Sequence, residues 1–331
     1  MEVHVCVKHP FLITHYYHSG FSIAGEHTLL IFDYWRGERG ELTPELQLTP
    51  EKLRAYDKVF VFISHEHIDH LDPVVFTWNE AGNVSWIVSS DMPVGTRGKR
   101  MAPGDTVRLS DEVTVTAFDS TDLGVSFLVD FLGLRFFHAG DLNFWHWREE
   151  STKQEIEEAD EEFRKAVQPI SREKIDVAFF PVDPRQGAMF EAGANYFILA
   201  VKPRILIPMH YFHPADTATD YARTASCRTT EVLAMPVYGD TIRLEADEDG
   251  YLNISRPERE PLKRIPPEPP GKNTAPDRRS RSWRRTIPSW RATCRCPPWR
   301  PKNRSRRRAD LSTVTTVFHT LSTVFHRYSQ K

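Results

Sequence analysis

The 331-residue sequence has few cysteines and no long apolar run. Four cysteines are too few for the disulfide framework of a small secreted scaffold. No stretch reaches the roughly 18–20 apolar residues that cross a bilayer, so no membrane span is expected. Residues 1–11 also lack the basic start and apolar stretch of a secretory signal. Together these absences predict a cytoplasmic protein without a membrane anchor.

Positive charge is scarce in most of the chain and concentrated at its C-terminal end. Residues 1–255 carry a net charge of −17, whereas residues 256–331 carry +15. The C-terminal segment also holds 11 of the 24 prolines and lacks the apolar periodicity of helices and strands. Because such a composition buries too little apolar surface to form a core, we predict one folded domain over residues 1–255 and a disordered basic tail over residues 256–331.

The sequence leaves three interpretations of the basic tail open. Its arginines could bind the phosphates of a nucleic acid. The tail could also be a solvated linker without a specific role, or the product of a shifted reading frame. The net negative charge of residues 1–255 argues against a broad phosphate-binding surface on the folded domain.

The folded domain alternates strand patterns with helix patterns. Residues 59–63 form a continuous apolar run, as expected for a strand covered on both faces. Apolar runs at 11–22 and 27–34 flank Gly25-Glu26 and predict a hairpin. Apolar residues at helical spacing predict helices around 156–167 and 190–201. This succession predicts a layered α/β domain, with further strands at 84–88, 113–118, 125–131, 134–138, 175–180 and 205–208.

A cluster of potential metal ligands follows the apolar strand at 59–63. Residues 65–70 have the pattern H-x-H-x-D-H, which supplies His65, His67, Asp69 and His70. Neutral imidazoles and carboxylates suit Zn²⁺ and similar divalent ions. A tight turn would aim the first two histidines at one point, and the Asp-His pair at a second point nearby. Two later strand ends add further ligands, a carboxylate at Asp141 and an imidazole at His210.

The combination of H-x-H-x-D-H, Gly-Asp and a late strand-end histidine resembles the metallo-β-lactamase fold superfamily over roughly residues 11–245. Within it, the chain is most similar to the branch of L-ascorbate-6-phosphate lactonase-like hydrolases, on the evidence of His18-Ser19-Gly20-Phe21, Phe32-Asp33 and Pro208-Met209-His210. The resemblance implies an αββα sandwich with a metal centre at the sheet edges. It also implies an allocation of ligands: His65 and His67 on the first metal, Asp69, His70 and His210 on the second, and Asp141 bridging.

One histidine of the superfamily pattern is missing from this sequence. The loop at 118–124, where that pattern has a further imidazole, contains none. Asp122 could replace it as an oxygen ligand, which would favour harder ions such as Mn²⁺. Alternatively, Asp122 is an ordinary turn residue and the protein works with one metal ion. One or two divalent ions are therefore expected, Zn²⁺ in the first place and Mn²⁺ as the alternative.

The ligands and the resemblance predict a metal-dependent hydrolase that uses a metal-bound hydroxide on a small ester, lactone or phosphoester. Asp69 would bind metal and accept a proton from the attacking water. His146 and Arg185 are candidate substrate contacts, the latter because a guanidinium matches an anionic group. Asp33 and Asp183 are candidates to orient ligating imidazoles. The alternatives are a nuclease that binds nucleic acid through its tail and a non-catalytic metal-binding protein.

Overall fold

The protein is built from fifteen strands and a few helices in the part of the chain that the structure describes, residues 9–212 and 216–257. The structure is a computed structural model. The strands are β1 (Phe11–His15), β2 (Phe21–Gly25), β3 (Thr28–Phe32), β4 (Lys58–Ile63), β5 (Val84–Ser89), β6 (Lys99–Met101), β7 (Thr106–Arg108), β8 (Val113–Asp119), β9 (Val125–Phe131), β10 (Leu134–His138), β11 (Val177–Pro181), β12 (Ile205–Met209), β13 (Glu231–Val232), β14 (Thr241–Ala246) and β15 (Leu252–Ser255). The α-helices are α1 (Pro50–Leu53), α2 (Lys153–Ile170), α3 (Ala192–Val201) and α4 (Asp216–Ala225), with 3-10 helices at Pro73–Ala81 and Pro184–Gln186.

The strands form two sheets. The first has the order β15-β14-β1-β2-β3-β4-β5-β6, and the second has the order β13-β12-β11-β10-β9-β8-β7. Strands β3, β4 and β5 run parallel to one another, as do β10, β11 and β12. Because the carboxyl ends of parallel strands meet at one edge of a sheet, the loops after them are brought together.

Each sheet is covered on both faces. Between the sheets, Phe62 of β4 lies 5.4 Å from Phe127 of β9, measured between ring centroids. On the outer face of the second sheet, Phe197 of α3 packs 4.5 Å from Phe180. On the outer face of the first sheet, Trp78 of the 3-10 helix at Pro73–Ala81 is fully buried. These contacts give four layers and confirm the predicted αββα sandwich.

Most predicted elements lie within two residues of the observed ones, and β9 and β10 have the predicted bounds. The prediction of a single strand over residues 11–22 was wrong. Residues 11–22 contain two strands, β1 and β2, because the chain reverses at Tyr16–Gly20. A second turn at Glu26 then leads into β3, so the predicted hairpin is one part of a three-stranded meander.

Helix α2 shows how local sequence sets an element that supports the second sheet. Thr152 and Glu155 form a capping box at its start, satisfying backbone N–H groups that the first turn leaves unpaired. Its apolar stripe, which includes Phe163 and Val167, is buried against the core, while its acidic face is exposed.

Within residues 9–212 and 216–257, no helix is both long enough and apolar enough to cross a membrane. The last described strand ends at Ser255. The predictions for the tail at 256–331, its disorder and its partners, fall almost entirely outside the described residues, and the domain boundary at 255 stays a prediction.

Candidate metal centre

Six strand ends converge at one edge of the sandwich. Strands β3 and β4 lead to Asp33 and to the loop at 65–70, β10 leads to Asp141, β11 to Asp183 and β12 to His210. The turn after β1 adds His18 to the same place. Residues far apart in sequence therefore meet because their strands end at this edge.

Asp141 stands between two groups of imidazoles. Its Oδ1 lies 2.9 Å from His70 Nε2 and 3.1 Å from His210 Nε2. Its Oδ2 lies 3.2 Å from His65 Nε2 and 3.7 Å from His67 Nδ1. Each carboxylate oxygen thus faces a different pair of histidines, an arrangement that allows this carboxylate to be shared by two ions.

Two clusters of ligand atoms can be defined around this carboxylate. The inner cluster consists of His18, Asp69, His70 and His210, and the outer cluster consists of His67, Asp122 and Asp141. In each cluster the candidate ligand atoms all lie within 4.8 Å of one another. His65 forms a further group of this kind with His70 and Asp141, which links the two clusters.

Buried polar atoms of the inner cluster and of Asp141 beside it fit a cation. His70 Nε2, His210 Nε2 and Asp141 Oδ1 have no hydrogen-bond partner in the described part of the chain. Although the two imidazole nitrogens lie about 3 Å from the carboxylate oxygen, their geometry does not make a hydrogen bond. Leaving such a group unsatisfied costs about 1–3 kcal/mol. A divalent ion would satisfy all three atoms at once.

Two buried carboxylates contact the Nδ1 atoms of two candidate ligands, His70 and His210. Asp33 lies 2.8 Å from His70 Nδ1, and it also accepts hydrogen bonds from Ser64 N at 2.8 Å and Ser64 Oγ at 2.6 Å. Asp183 lies 3.1 Å from His210 Nδ1. In each ring the Nδ1–H is directed at a carboxylate, so Nε2 is left free to bind an ion.

The carboxylates also set the charge state of the metal-free centre. Burial disfavours the charged form of His210, but Asp141 and Asp183 outweigh it and raise the pKa of His210 to about 9. Burial likewise opposes charge on His70, whose pKa is nevertheless raised well above its usual value by Asp141 and Asp33. The pKa of Asp141 is held well below its usual value, against the effect of burial, by these positive rings. Ion binding here would therefore release protons.

The outer cluster is more open and contains the predicted replacement for the missing histidine. The His67 side chain is 44% exposed, and Asp122 is partly exposed. A hydrogen bond from Thr121 Oγ1 to the Asn143 backbone, 2.6 Å long, ties the Asp122 loop to the segment after Asp141. The structure therefore places an oxygen donor at this cluster, and the role of Asp122 as a ligand stays a prediction.

The two predicted substrate contacts are both engaged with groups of the protein itself. His146 is buried, with Nδ1 3.0 Å from the Phe144 carbonyl and Nε2 3.3 Å from the Ala188 carbonyl. Arg185 is bound to Asp183 through Nε and Nη2, with its guanidinium 4.5 Å above the ring of Phe212. The contact of His146 and Arg185 with substrate stays a prediction.

His18 is the residue of this centre that sequence reasoning missed as a candidate ligand. The sequence pattern used His18 only as part of the family resemblance. Because residues 11–22 were interpreted as one strand, the turn that brings His18 to the sheet edge was not predicted. The signal was present in the residues themselves, since His18-Ser19-Gly20 interrupts that run with a polar pair and a glycine.

No protein-family model matches this sequence, and no curated protein sequence matches it. Solved structures do resemble it. Igni18, a metallo hydrolase from the hyperthermophilic archaeon Ignicoccus hospitalis, is 16% identical, with 71% of this chain and 98% of that chain covered and a TM-score of 0.52. The metallo-β-lactamase fold protein YhfI from Bacillus subtilis is 15% identical, with 71% and 99% covered and a TM-score of 0.47. Taken with the four-layered architecture, the likeness to Igni18 shows that this chain has the predicted metallo-β-lactamase-like αββα fold.

Proposed function

We propose that the protein is a metal-dependent hydrolase of a small ester, lactone or phosphoester. The proposal depends on the surroundings of Asp141, whose two carboxylate oxygens face different pairs of imidazoles. The buried atoms His70 Nε2, His210 Nε2 and Asp141 Oδ1 have no hydrogen-bond partner among the described residues. When bound, divalent ions would lower the pKa of a coordinated water to about 7 and polarise a carbonyl or phosphoryl oxygen.

The residues of the centre would divide the work between binding and orientation. His65, His67 and Asp122 would hold the outer ion, Asp69, His70 and His210 would hold the inner one, and Asp141 would be shared between them. Asp33 and Asp183 would keep the Nδ1–H of His70 and His210 occupied, so that each ring presents Nε2.

Asp69 is the proposed proton acceptor as well as a ligand. Its carboxylate lies 3.4 Å from His18 Nε2 and is 22% exposed. Against the effect of burial, His18 and His70 lower the pKa of Asp69, which keeps it ionised at neutral pH. An ionised carboxylate at this place can bind a cation and accept a hydrogen bond from water, as a proton acceptor must.

The wall of the proposed substrate site is aromatic. Trp145 donates from Nε1 to the Asp141 carbonyl at 2.7 Å, and its ring lies 5.3 Å from the His210 ring. Trp147 is stacked beside it at 6.3 Å between centroids, and both rings are partly exposed. These rings would contact an apolar part of the substrate next to the metal centre.

A substrate comparison tests this wall. We expect Trp145→Ala to lower kcat/KM for an aryl ester more than for the corresponding methyl ester, since burial of the aryl group against the indole is lost. The ratio between the two substrates within the one variant is its own control for incomplete folding. An unchanged ratio would exclude the tryptophan from substrate recognition.

The hydrolase proposal is tested by metal content and turnover together. His67→Ala combined with Asp69→Ala should remove metal-dependent hydrolysis of ester, lactone and phosphodiester substrates and lower the bound metal. His27→Ala combined with Asp57→Ala is a matched control. This pair is exposed near the starts of β3 and β4, at the opposite edge of the sheet. If the first double variant kept its full metal content, the assignment of the centre would be wrong.

The nucleic-acid alternative depends on the basic tail, which lies outside the described residues except for its first two positions. No contact in the described part of the chain favours it. Equal nucleic-acid binding by the full chain and by residues 1–255, measured at several salt concentrations, would remove the tail from consideration.

A further inference from the structure

The turn between β1 and β2 aims a histidine at the inner cluster. His18 is fully buried and its backbone φ is 55°, in the left-handed region that few non-glycine residues adopt. Neither of its ring nitrogens has a hydrogen-bond partner within residues 9–212 and 216–257. A buried imidazole without a hydrogen-bond partner, held in a strained backbone, requires a physical reason.

The turn is fixed from several sides. His210 N donates to the His18 carbonyl at 3.3 Å. His138 Nε2 lies 2.9 Å from the neighbouring Ser19 carbonyl, and His15 Nδ1 lies 2.9 Å from the Met235 carbonyl. Because the surrounding contacts determine the backbone, the His18 ring has a defined direction toward the other ligands.

The position of the ring matches that of a ligand. His18 Nε2 lies 3.4 Å from Asp69 Oδ2, and the ring centroid lies 4.1 Å from that of His210. One ligand atom from each member of the inner cluster falls within 4.8 Å of the others. Compared with the ligand pattern described in the sequence analysis, the outer cluster has one imidazole fewer, and the inner cluster has one imidazole more, His18.

We propose that His18 is a ligand of the inner ion and that the two ions are held unequally. The inner cluster supplies three imidazoles and the Asp69 carboxylate, and Asp141 Oδ1 lies within 3.1 Å of two of these rings; all of these groups except Asp69 are buried. The outer cluster supplies the His67 imidazole and the carboxylates of Asp122 and Asp141, with His67 44% exposed, and His65 Nε2 lies 3.2 Å from Asp141 Oδ2. The inner ion is resident and of the zinc type, whereas the outer ion exchanges with solvent and includes harder ions such as Mn²⁺.

This inference rests on the proposed function only because both concern the same metal centre. Its test measures metal binding and needs no substrate. The purified full chain is loaded with Zn²⁺ and dialysed, and metal content is followed over time. We expect about one ion per chain to be retained and a second to be lost, with Mn²⁺ replacing only the second.

Two variants separate the positions. His18→Gly removes the ring at a φ that glycine adopts without strain, and it should weaken the retained ion by more than the roughly 10–100-fold that loss of a ligand-orienting partner causes. Asp122→Asn should weaken only the exchangeable ion. With Co²⁺ in the retained position, the visible absorption bands should change in His18→Gly and stay the same in Asp122→Asn.

His18→Asn guards against a folding defect, because asparagine tolerates positive φ and retains an oxygen donor. It should hold the ion more weakly than the parent protein and more tightly than His18→Gly. If His18→Gly is folded and retains the ion with parental affinity and an unchanged Co²⁺ spectrum, His18 is not a ligand. If both ions are lost at the same rate, the unequal positions are refuted. If ions bind unequally but no substrate is hydrolysed, the proposed function fails and this inference stands.

Discussion

Gly124 packs so closely against Ser64 and against His65, the first proposed metal ligand, that a single methyl group there should disturb the centre. Its φ is 79°, and a Cβ at this position would lie 1.9 Å from the Ser64 carbonyl oxygen and 2.7 Å from His65 Cβ. Ordinary contact begins near 3.4 Å, so the backbone of Ser64 must move by more than an ångström. Since Ser64 also holds Asp33, that movement reaches the ring of His70.

The magnitude follows from comparison with Gly133, in the turn between β9 and β10. Gly133 has a φ of 83°, and a Cβ there would meet nothing within 4 Å. Gly133→Ala therefore carries only the backbone penalty, about 1–2 kcal/mol, reduced by the lower entropy of the unfolded chain. Gly124→Ala carries the same penalty and overpacking of about 1–3 kcal/mol or more.

Urea unfolding of the two metal-free variants measures the difference directly. We expect the free energy of unfolding of Gly124→Ala to be lower than that of Gly133→Ala by about 1–3 kcal/mol or more, the overpacking part alone. Metal affinity by equilibrium dialysis should fall for Gly124→Ala and stay parental for Gly133→Ala. Equal destabilisation of the two variants, or parental metal binding by folded Gly124→Ala, would refute the reasoning.

Two further predictions concern pH. Because the pKa of His210 is about 9 in the metal-free protein, its proton competes with the ion, and metal affinity should rise from pH 7 to pH 9. Isothermal titration calorimetry in buffers of different ionisation enthalpy should detect the protons released on metal binding. If no protons were released, the assigned charge state of His210 would be wrong. Burial lowers the pKa of His15 to about 4, whereas the ordinary value of 6.5 applies in the unfolded chain. Below pH 6.5 the unfolded chain therefore takes up a proton that the folded chain does not. The free energy of unfolding falls as the pH drops from 6.5 to 4. His15→Asn, which keeps a donor toward the Met235 carbonyl, should reduce the slope of unfolding free energy against pH in this range by up to about 1.4 kcal/mol per unit, and an unchanged slope would show that His15 does not titrate in this way.

The sequence predicted the parts of the molecule that depend on local pattern. The strand at 59–63 and the ligand motif after it are neighbours in the chain, so their proximity needed no tertiary information. Asp141 and His210 were predicted as strand-end ligands, and the structure brings their side chains to within 3.1 Å of each other. Parallel strands explain this success, because their carboxyl ends share an edge.

Other features could not be predicted because they depend on contacts between distant segments. The Asp183 carboxylate holds both His210 and Arg185, so the guanidinium that matched an anionic substrate by residue type is already bound to the protein. His146 looked like a ligand or substrate contact by type alone, and the structure directs its ring nitrogens at backbone carbonyls. In both cases the residue type indicated the chemistry, and packing decided the partner.

Backbone strain at the centre explains why its geometry is hard to predict from sequence. Seven non-glycine residues have positive φ in the described part of the chain, and three of them belong to the centre: His18 at 55°, Asp33 at 40° and His210 at 65°. Each such residue costs about 1–3 kcal/mol and persists only where its surroundings determine it. Propensity would place glycine or asparagine at these positions, but those residues would remove the imidazole or carboxylate that the cluster uses. The centre therefore departs from local preference at three ligand-bearing or ligand-orienting positions, and the hydrogen bonds of Ser64 and Asp183 hold two of them in place.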